Sequence, residues 1–465
     1  MVDYKYIDFE NGLKGQQVTV IGLSRTGVAT AQALIERGAK VVVSDIKKPD
    51  RLKEELKKLK GLPIKYFLGE HPADSLETDL IVVSPGVPLE IPFLKNAIMK
   101  GIPVISEIEL AYNLTKARII AITGTNGKTT TTSLTGAILK KADPGIVKIA
   151  GNIGRPLIAE INGLTEEDWL VVEVSSFQLE TISKFQPDIS VYLNFSPDHL
   201  DRHLTINNYR KAKKSIFSNQ KNNDYAVINY DDPEVLNAAA DCEAEKYYIS
   251  MRKAVSKGVY LDDKKLFLKE KLHREIMRIK DIPLRGLHNV QNVAFACMAA
   301  YLAGVDINLM KAVVQEYRPD HHRLEEIARD KNGTLYIDDS KATNPDAAIK
   351  GLNAIEAPIV LIAGGQDRNA DFNVLAETIK KRVRVLILLG ETKYQLRNEV
   401  LKRGFNNINI HIVENMSEAV KIAYDNLETG DCVLLSPACP SWDMFSSYQE
   451  RGNEFQQEVE KQRGN

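Results

Sequence analysis

The sequence predicts an α/β protein built as three blocks of mostly parallel sheet, on three observations. Short β-branched runs alternate with amphipathic stretches along the whole chain, the pattern of strands buried on both faces and joined by crossover helices. One such run leads directly into a glycine-bearing loop and then a helix, an arrangement suited to binding phosphate. The length of 465 residues matches about three domains at roughly 150 residues each.

In the first block "QQVTVIGL" reads as a strand, Thr26 to Arg37 as a helix, and "AKVVVSD", "PIKYFLG" and "TDLIVVSPG" as further strands. The second block opens on the strand "ARIIAITG" and continues through "WLVVEVSS", "DISVYLNFS" and "DYAVINYDD". Its tail, "HNVQNVAFACMAAYLAG", predicts a helix that stops at Gly304. The third block begins near "YRPDHHRLE", where Pro319 interrupts the helical pattern, and contributes "GTLYIDDS", "APIVLIAGG", "VRVLILLG" and "GDCVLLSP". The expected domains are 1–106, 107–318 and 319–465. Open sheets of this kind bind ligands beyond the carboxyl ends of their strands, so chemistry is sought there.

Composition narrows the function classes. Hydrophobic content of 44% with 26% charged residues is that of a folded soluble protein. Lys+Arg of 61 against Asp+Glu of 62 leaves a net charge of −1, which argues against nucleic-acid or membrane-surface partners. Cys242, Cys297, Cys432 and Cys439 form no C-x-x-C pair and suggest a reducing compartment. The start, "MVDYKYIDFEN", lacks the apolar core of a signal peptide, and no apolar run reaches the ~20 residues of a bilayer span. A cytoplasmic location is the expectation.

The loop "ITGTNGKTT", Ile122 to Thr130, departs from the P-loop rule G-x-x-x-x-G-K-[ST], because Ile122 stands where the first glycine belongs. Ile122 ends a buried strand, and a helix starts at Lys128. Backbone N–H groups of Gly124, Thr125, Asn126, Gly127 and Lys128 would face an anion, with the helix dipole assisting. The Lys128 ammonium can reach terminal phosphates, and Thr129 to Thr132 supply hydroxyls for Mg²⁺ or phosphate oxygens. The bland alternative is a plain turn. A second string, Gly22 to Gly27, resembles G-x-G-x-x-G with Ser24 in place of the second glycine, and Asp45 follows where a ribose-binding acid would stand. Ser24 would crowd a pyrophosphate, so NAD is not expected; another nucleotide or an ordinary turn stays open. Glu173 lies inside the apolar strand "WLVVEVSS", where an ionised carboxylate needs a partner or a cation. Asp198 and His199 leave a later strand at the equivalent edge, and a turn or cap with a solvated histidine is the alternative. Lys211, Lys213 and Lys214 read by themselves as a solvated basic face.

Together "TGTNGKTT", "GNIG", "EVSSFQLE", "NFSPDHLDRH", "YRKAK", "HNVQN", "HHRLE", "DDSKATNP", "AGGQDRNADF" and "LSPACPSWDMFSSYQERGNEF" resemble the Mur ligases, in that order and over essentially the whole chain. The last three most sharply resemble the D-glutamate-adding members. In that family the phosphate loop lacks the earlier glycine. The resemblance implies an N-terminal Rossmann-like domain for the UDP moiety, a central P-loop ATPase-like domain with a mostly parallel sheet, and a C-terminal Rossmann-like domain for the amino acid. It implies ATP-dependent amide ligation of D-Glu to UDP-MurNAc-L-Ala through an acyl phosphate, in peptidoglycan precursor synthesis, by a monomer using two Mg²⁺ ions.

Residue roles are implied in the same way. Lys128, His199, Lys213 and Asn152 are catalytic candidates, with Gly124 through Thr130, Asn289, Asn292, Arg323 and Asp339 for ATP. Thr129 and Glu173 would hold one Mg²⁺, and His199 helps hold the second. Lys213, spaced from Tyr209 as Tyr-x-x-x-Lys, would carry a CO2-derived carbamate, which requires a lowered amine pKa. Ser24, Arg25, Thr26, Lys47, Gly86 and Asn152 are carried over for the UDP substrate, although Asp45-Ile46-Lys47 lacks the Thr-Arg of some relatives. Lys341, Thr343, Arg368, Ser441 and Tyr448 are carried over for D-Glu; Arg368 stands where lysine is usual and Tyr448 where Phe can stand. The rivals are another Mur-type or folylpolyglutamate-type ligase, a nucleotide-driven switch without ligase activity, and a dinucleotide-dependent oxidoreductase. The Asp-Asn-Pro-Arg signature of the diaminopimelate-adding enzymes is absent.

Overall fold

The computed structural model describes residues 7, 9, 13–71, 77–318, 321–368 and 370–464. Pro319 and most of the opening segment lie outside the described residues. The described chain divides into two compact units, Met1–Asp281 with Gln291–Gln315, and Ile282–Val290 with Glu316–Asn465.

The first unit holds two sheets. One has five parallel strands in the spatial order Ile64–Leu68, Lys40–Asp45, Gln17–Ile21, Leu80–Val83 and Val104–Ser106. The helix Arg25–Glu36 follows its central strand and buries Val28, Ala31 and Leu34, spaced three apart on one face. The other sheet has nine strands. From one edge it runs Val147–Gly151, Trp169–Glu173, Arg118–Thr123, Ile189–Tyr192, Tyr225–Asn229 and Glu245–Ser250, all parallel. Gly258–Asp262 continues it in parallel, followed by the antiparallel strands Lys265–Lys269 and His273–Arg278. The loop-bearing strand Arg118–Thr123 therefore has later strands on both sides, and the strand order reverses beside it. Ligands gather at such reversals, outside the carboxyl ends.

The helix Glu107–Leu114 joins the two sheets, with the Ser106 hydroxyl accepting from Glu109 N–H at 3.4 Å as its N-cap. Glu109 is fully buried, and its carboxylate accepts from the backbone N–H groups of Ser183 (3.0 Å), Lys184 (2.7 Å) and Phe185 (2.9 Å). Glu109→Ala would leave the buried Phe185 N–H and the part-buried Ser183 and Lys184 N–H groups without their acceptor. The expected destabilisation is about 1–3 kcal/mol, mainly from the buried donor, read from the urea midpoint of this unit's transition; an unchanged midpoint would refute the strut.

The second unit carries a six-stranded sheet in the order Glu325–Arg329, Leu335–Asp338, Cys432–Leu435, Ile359–Ala363, Val383–Leu388 and Ile410–Ile412. Only its first strand is antiparallel. The central strands are buried on both faces, as their continuous apolar runs predict.

Candidate functional site

In the first unit the phosphate loop leaves the carboxyl end of Arg118–Thr123 and enters the helix Lys128–Ala142. Gly127 caps this helix with φ 85°, in the left-handed region, and a Cβ there would collide with the side chain of Asn292. The loop is pinned to the neighbouring strand end. Asn126 N–H donates to Asn194 Oδ1 (2.9 Å), Asn194 Nδ2 donates to Asn126 O (2.9 Å), and Thr125 Oγ1 donates to Ser196 O (3.0 Å). The Lys128 ammonium lies across the loop, donating to the carbonyls of Gly124 (2.9 Å) and Thr125 (2.8 Å).

Parallel register places Glu173 opposite Ile122 and Gly151, level with the start of the loop. Its carboxylate is buried. Oε1 accepts from Asn152 Nδ2 at 2.8 Å, whereas Oε2 is buried without a hydrogen-bond partner. The hydroxyls of Thr130, Thr131 and Thr132 are buried and unpartnered as well. Unpaired buried oxygens at the start of a phosphate loop suit a hard cation or a phosphate.

The lysine-bearing helix, Ile206–Lys214, separates the three lysines. Tyr209, Ala212 and Lys213 share the buried face, at positions i, i+3 and i+4, while Lys211 is exposed. The solvated reading therefore fails for Lys213. Its amine donates to Gly124 O at 2.7 Å and lies 4.9 Å from the Tyr209 ring centre. Burial, and after it the Lys128 ammonium, hold its pKa well below the ordinary lysine value, against the opposing pull of Asp198 and Glu173. Two amines and two carboxylates thus act on one another beside the loop.

His199 stays largely exposed, with a backbone φ of 53°. Its Nε2 lies 3.7 Å from Asp198, and its ring meets Phe177 edge-on at 5.1 Å. The alternative of a turn with a solvated histidine accounts for part of this geometry, since Asp198 Oδ1 accepts the His199 N–H at 2.8 Å. Sequence reasoning passed over His203. It is buried between Ser176 (2.9 Å) and Glu180 (3.0 Å) and stacks on Phe177, which fixes the wall that His199 leans on.

The smaller sheet of this unit gathers Ser24, Arg25 and Thr26, Lys47 and Gly86 at the carboxyl ends of three adjacent strands. Asp45, the ribose-binding candidate, spends both oxygens on backbone, accepting from Leu23 N–H (2.6 Å) and Lys47 N–H (2.8 Å). It ties the glycine turn to the next strand.

In the second unit, residues 339–343, 364–368 and 436–441 leave the carboxyl ends of three adjacent parallel strands. Asp339 is buried; it accepts from Ser436 Oγ (2.9 Å) and Leu324 N–H (3.2 Å). Burial pushes its pKa up to about 7, although the Ser436 hydroxyl and the Arg323 charge pull it down. Arg323 Nε is itself buried and unpartnered. Asn289 is buried, with Nδ2 donating to Arg285 O at 2.7 Å. Lys341 extends towards Tyr448, its ammonium 5.8 Å from the ring centre, and its N–H donates to His322 O at 3.0 Å. Thr343 follows on the same turn, donating to Lys341 O at 2.9 Å. Ser441 is buried and Arg368 is exposed. Arg451, absent from the sequence-based candidates, holds these loops together. It is 2% exposed and donates to Ser340 Oγ (3.0 Å), Ser340 O (2.8 Å) and Cys439 O (3.1 Å). His322, Glu325 and Asp338 offer ligand atoms within 4.8 Å of one another, but Asp338 Oδ2 already accepts from His322 Nδ1 (2.7 Å) and Gln456 Nε2 (2.9 Å).

A raised carboxyl pKa stabilises the fold below the ordinary aspartate range near 3.9 and loses that contribution as pH rises through the folded value of about 7. Asp339→Asn should therefore melt progressively higher than the parent between about pH 4 and about pH 7, with the difference levelling off above, in the absence of nucleotide. A difference in Tm that does not change with pH would contradict the burial of a titrating group.

Family descriptions match all three blocks: "Mur ligase MurD-like, N-terminal domain" over 16–106, "Mur ligase middle domain" over 122–300, and "Mur ligase, glutamate ligase domain" over 322–439. The chain is 44% identical over 449 residues to the UDP-N-acetylmuramoylalanine--D-glutamate ligase of Clostridioides difficile (strain 630), covering 96% of this chain and 99% of that protein. It is 45% identical over 451 residues to the enzyme of the same name from Alkaliphilus oremlandii (strain OhILAs), covering 96% and 98%. Among solved structures, MurF from Acinetobacter baumannii superposes with a TM-score of 0.61 at 14% identity, over 98% of this chain and 93% of that one. A pseudomurein peptide ligase type C from Methanothermus fervidus gives 0.60 at 20% identity, over 96% and 100%. These two share the fold. Matches to all three domain descriptions and near full-length identity above 40% lead to one conclusion: the chain belongs to the Mur ligase family.

Proposed function

We propose that the protein joins D-glutamate to UDP-N-acetylmuramoyl-L-alanine, converting ATP to ADP and phosphate, in peptidoglycan precursor synthesis. The observation that carries this reading is a phosphate loop flanked by a buried carboxylate, Glu173, and a buried amine, Lys213, in a chain similar end to end to D-glutamate ligases. A carboxylate is a poor electrophile. An oxygen of the L-alanyl carboxylate attacks the γ-phosphorus, ADP leaves, and an acyl phosphate results. The D-glutamate nitrogen, having lost a proton, then attacks the carbonyl carbon, and the tetrahedral intermediate expels phosphate. Such transfer depends mainly on positioning and electrostatics.

In this reading residues 1–106 bind the UDP substrate through Ser24, Arg25, Thr26, Lys47 and Gly86, with Asn152 at the sugar. Residues 107–318 bind ATP phosphates through Gly124 to Thr130, with Lys128 neutralising transferred charge. Asn289, Asn292, Arg323 and Asp339 take adenine and ribose. Within residues 319–465, Lys341, Thr343, Arg368, Ser441 and Tyr448 take D-glutamate. The unpartnered Glu173 Oε2 fits Mg²⁺, which Thr129 and Glu173 would hold at one position, and His199 with carbamylated Lys213 at a second. Bound Mg²⁺ supplies charge neutralisation between nucleotide and carboxylate. The depressed Lys213 pKa supplies the neutral amine that carbamylation requires, and the carbamate replaces a cation by an anion. In this reading the protein works as a monomer in the cytoplasm.

The test is incubation with ATP, Mg²⁺, UDP-MurNAc-L-Ala and one amino acid at a time, followed by mass detection of a UDP-linked dipeptide. D-Glu should give product together with phosphate. Phosphate release without product, or product from L-Glu but not D-Glu, would overturn the reading.

A further inference from the structure

We propose that Trp442 is a positioning and specificity-determining residue for the incoming dicarboxylate, acting by holding the Arg368 guanidinium over its indole face. The proposal rests on the D-glutamate reading of this unit.

The Arg368 guanidinium carbon lies 4.6 Å from the Trp442 ring centre. Trp442 is 60% exposed, directly beside the buried Ser441. A large indole left in solvent has little packing reason to be there, and the cation over it supplies one. Among the described residues Arg368 donates to no protein acceptor and forms no ion pair, and its guanidinium meets the indole instead. A guanidinium held over a ring by its charge keeps N–H donors available for the fork that matches a carboxylate.

The stack is built into the backbone. Gly364 N–H donates to Pro437 O and Gln366 N–H to Pro440 O, both at 2.9 Å, so the loops bearing Arg368 and Trp442 are zipped at a fixed spacing. The neighbouring acids are engaged by backbone amides. Glu391 Oε2 accepts from Asp367 N–H and Asp443 Oδ2 from Glu391 N–H, each at 3.0 Å. These contacts engage one carboxylate oxygen each of Glu391 and Asp443. A platform fixed this way favours an amino acid with a second carboxylate at the right reach over its amide isostere.

Steady-state kinetics of Trp442→Ala and Trp442→Phe against the parent test this, varying D-Glu, ATP and the UDP substrate in turn and repeating with D-Gln. Trp442→Ala should raise KM for D-Glu about two- to fivefold, from a cation–π contact worth about 0.5–1 kcal/mol at an exposed site. Its kcat should stay within about twofold, and KM for ATP and the UDP substrate should not move. Trp442→Phe, which keeps a ring, should recover most of the affinity and also serves if the alanine variant misfolds. In an Arg368→Ala background Trp442→Ala should add nothing further. An unchanged D-Glu KM in both variants, or an equal rise in all three KM values, overturns the proposal. Absence of any D-Glu product from the parent overturns the underlying reading instead, and the proposal with it.

Discussion

Lys128→Ala should lower kcat for ligation by about 10²–10³-fold, the range seen when a single preorganised charge or donor is removed from a transition state. The reason lies in the loop. The Lys128 ammonium is held over the carbonyls of Gly124 and Thr125, at the start of the helix Lys128–Ala142, while the N–H groups of Thr125 and Asn126 are spent on Asn194. Two anions, nucleotide and carboxylate, must approach there, and no other lysine of the loop can neutralise them. The fold should survive, because Gly127, Asn194 and Thr125 fix the loop by other contacts. Far-UV circular dichroism and single-turnover phosphate release check both halves. A variant retaining more than about a tenth of parental kcat would remove Lys128 from the charge-neutralising role.

Lys213→Ala should lower kcat by at least about 10–100-fold, the range for weakening a metal site, because it removes the carbamate that would hold the second Mg²⁺ with His199. The loss should be partly reversed by millimolar formate or acetate, because a small carboxylate can stand where the carbamate would. The parent should also lose activity as pH falls. Burial and the Lys128 charge favour the neutral form of its amine, and a fall in pH reduces that form, the species that binds CO2. No rescue by short carboxylates, together with an intact-mass spectrum lacking the carbamate at high bicarbonate, would count against the modification. The two lysines share the Gly124 carbonyl, so their substitutions should be non-additive.

Much of this was legible before any coordinates. Buried parallel strands announce themselves as unbroken β-branched runs, which is why the phosphate loop fell between the expected strand and helix. Glu173 was legible because a carboxylate inside "WLVVEVSS" breaks the chemistry of its strand. Ile122, odd as a replacement for a P-loop glycine, is fully buried, and the tight turn begins after it at Gly124. Other features depend on what folding brings together. Lys213 looks like its neighbours in sequence; helix phase alone sends it inward and Lys211 outward. Arg451 is one more charge in a polar helix until the Ser340 and Cys439 carbonyls close around it. The antiparallel extension Gly258–Arg278 turns at Asp263 and Lys264, both with positive φ, and no Asn-Gly or Asp-Gly pair marks that turn.

The central claim is that this loop activates a carboxylate as an acyl phosphate. Its most direct test is ligation with UDP-MurNAc-L-Ala carrying ¹⁸O in both carboxylate oxygens, with mass analysis of the phosphate released. The account predicts that each phosphate formed together with the D-Glu product carries one ¹⁸O from the substrate. Unlabelled phosphate accompanying full product formation would contradict it.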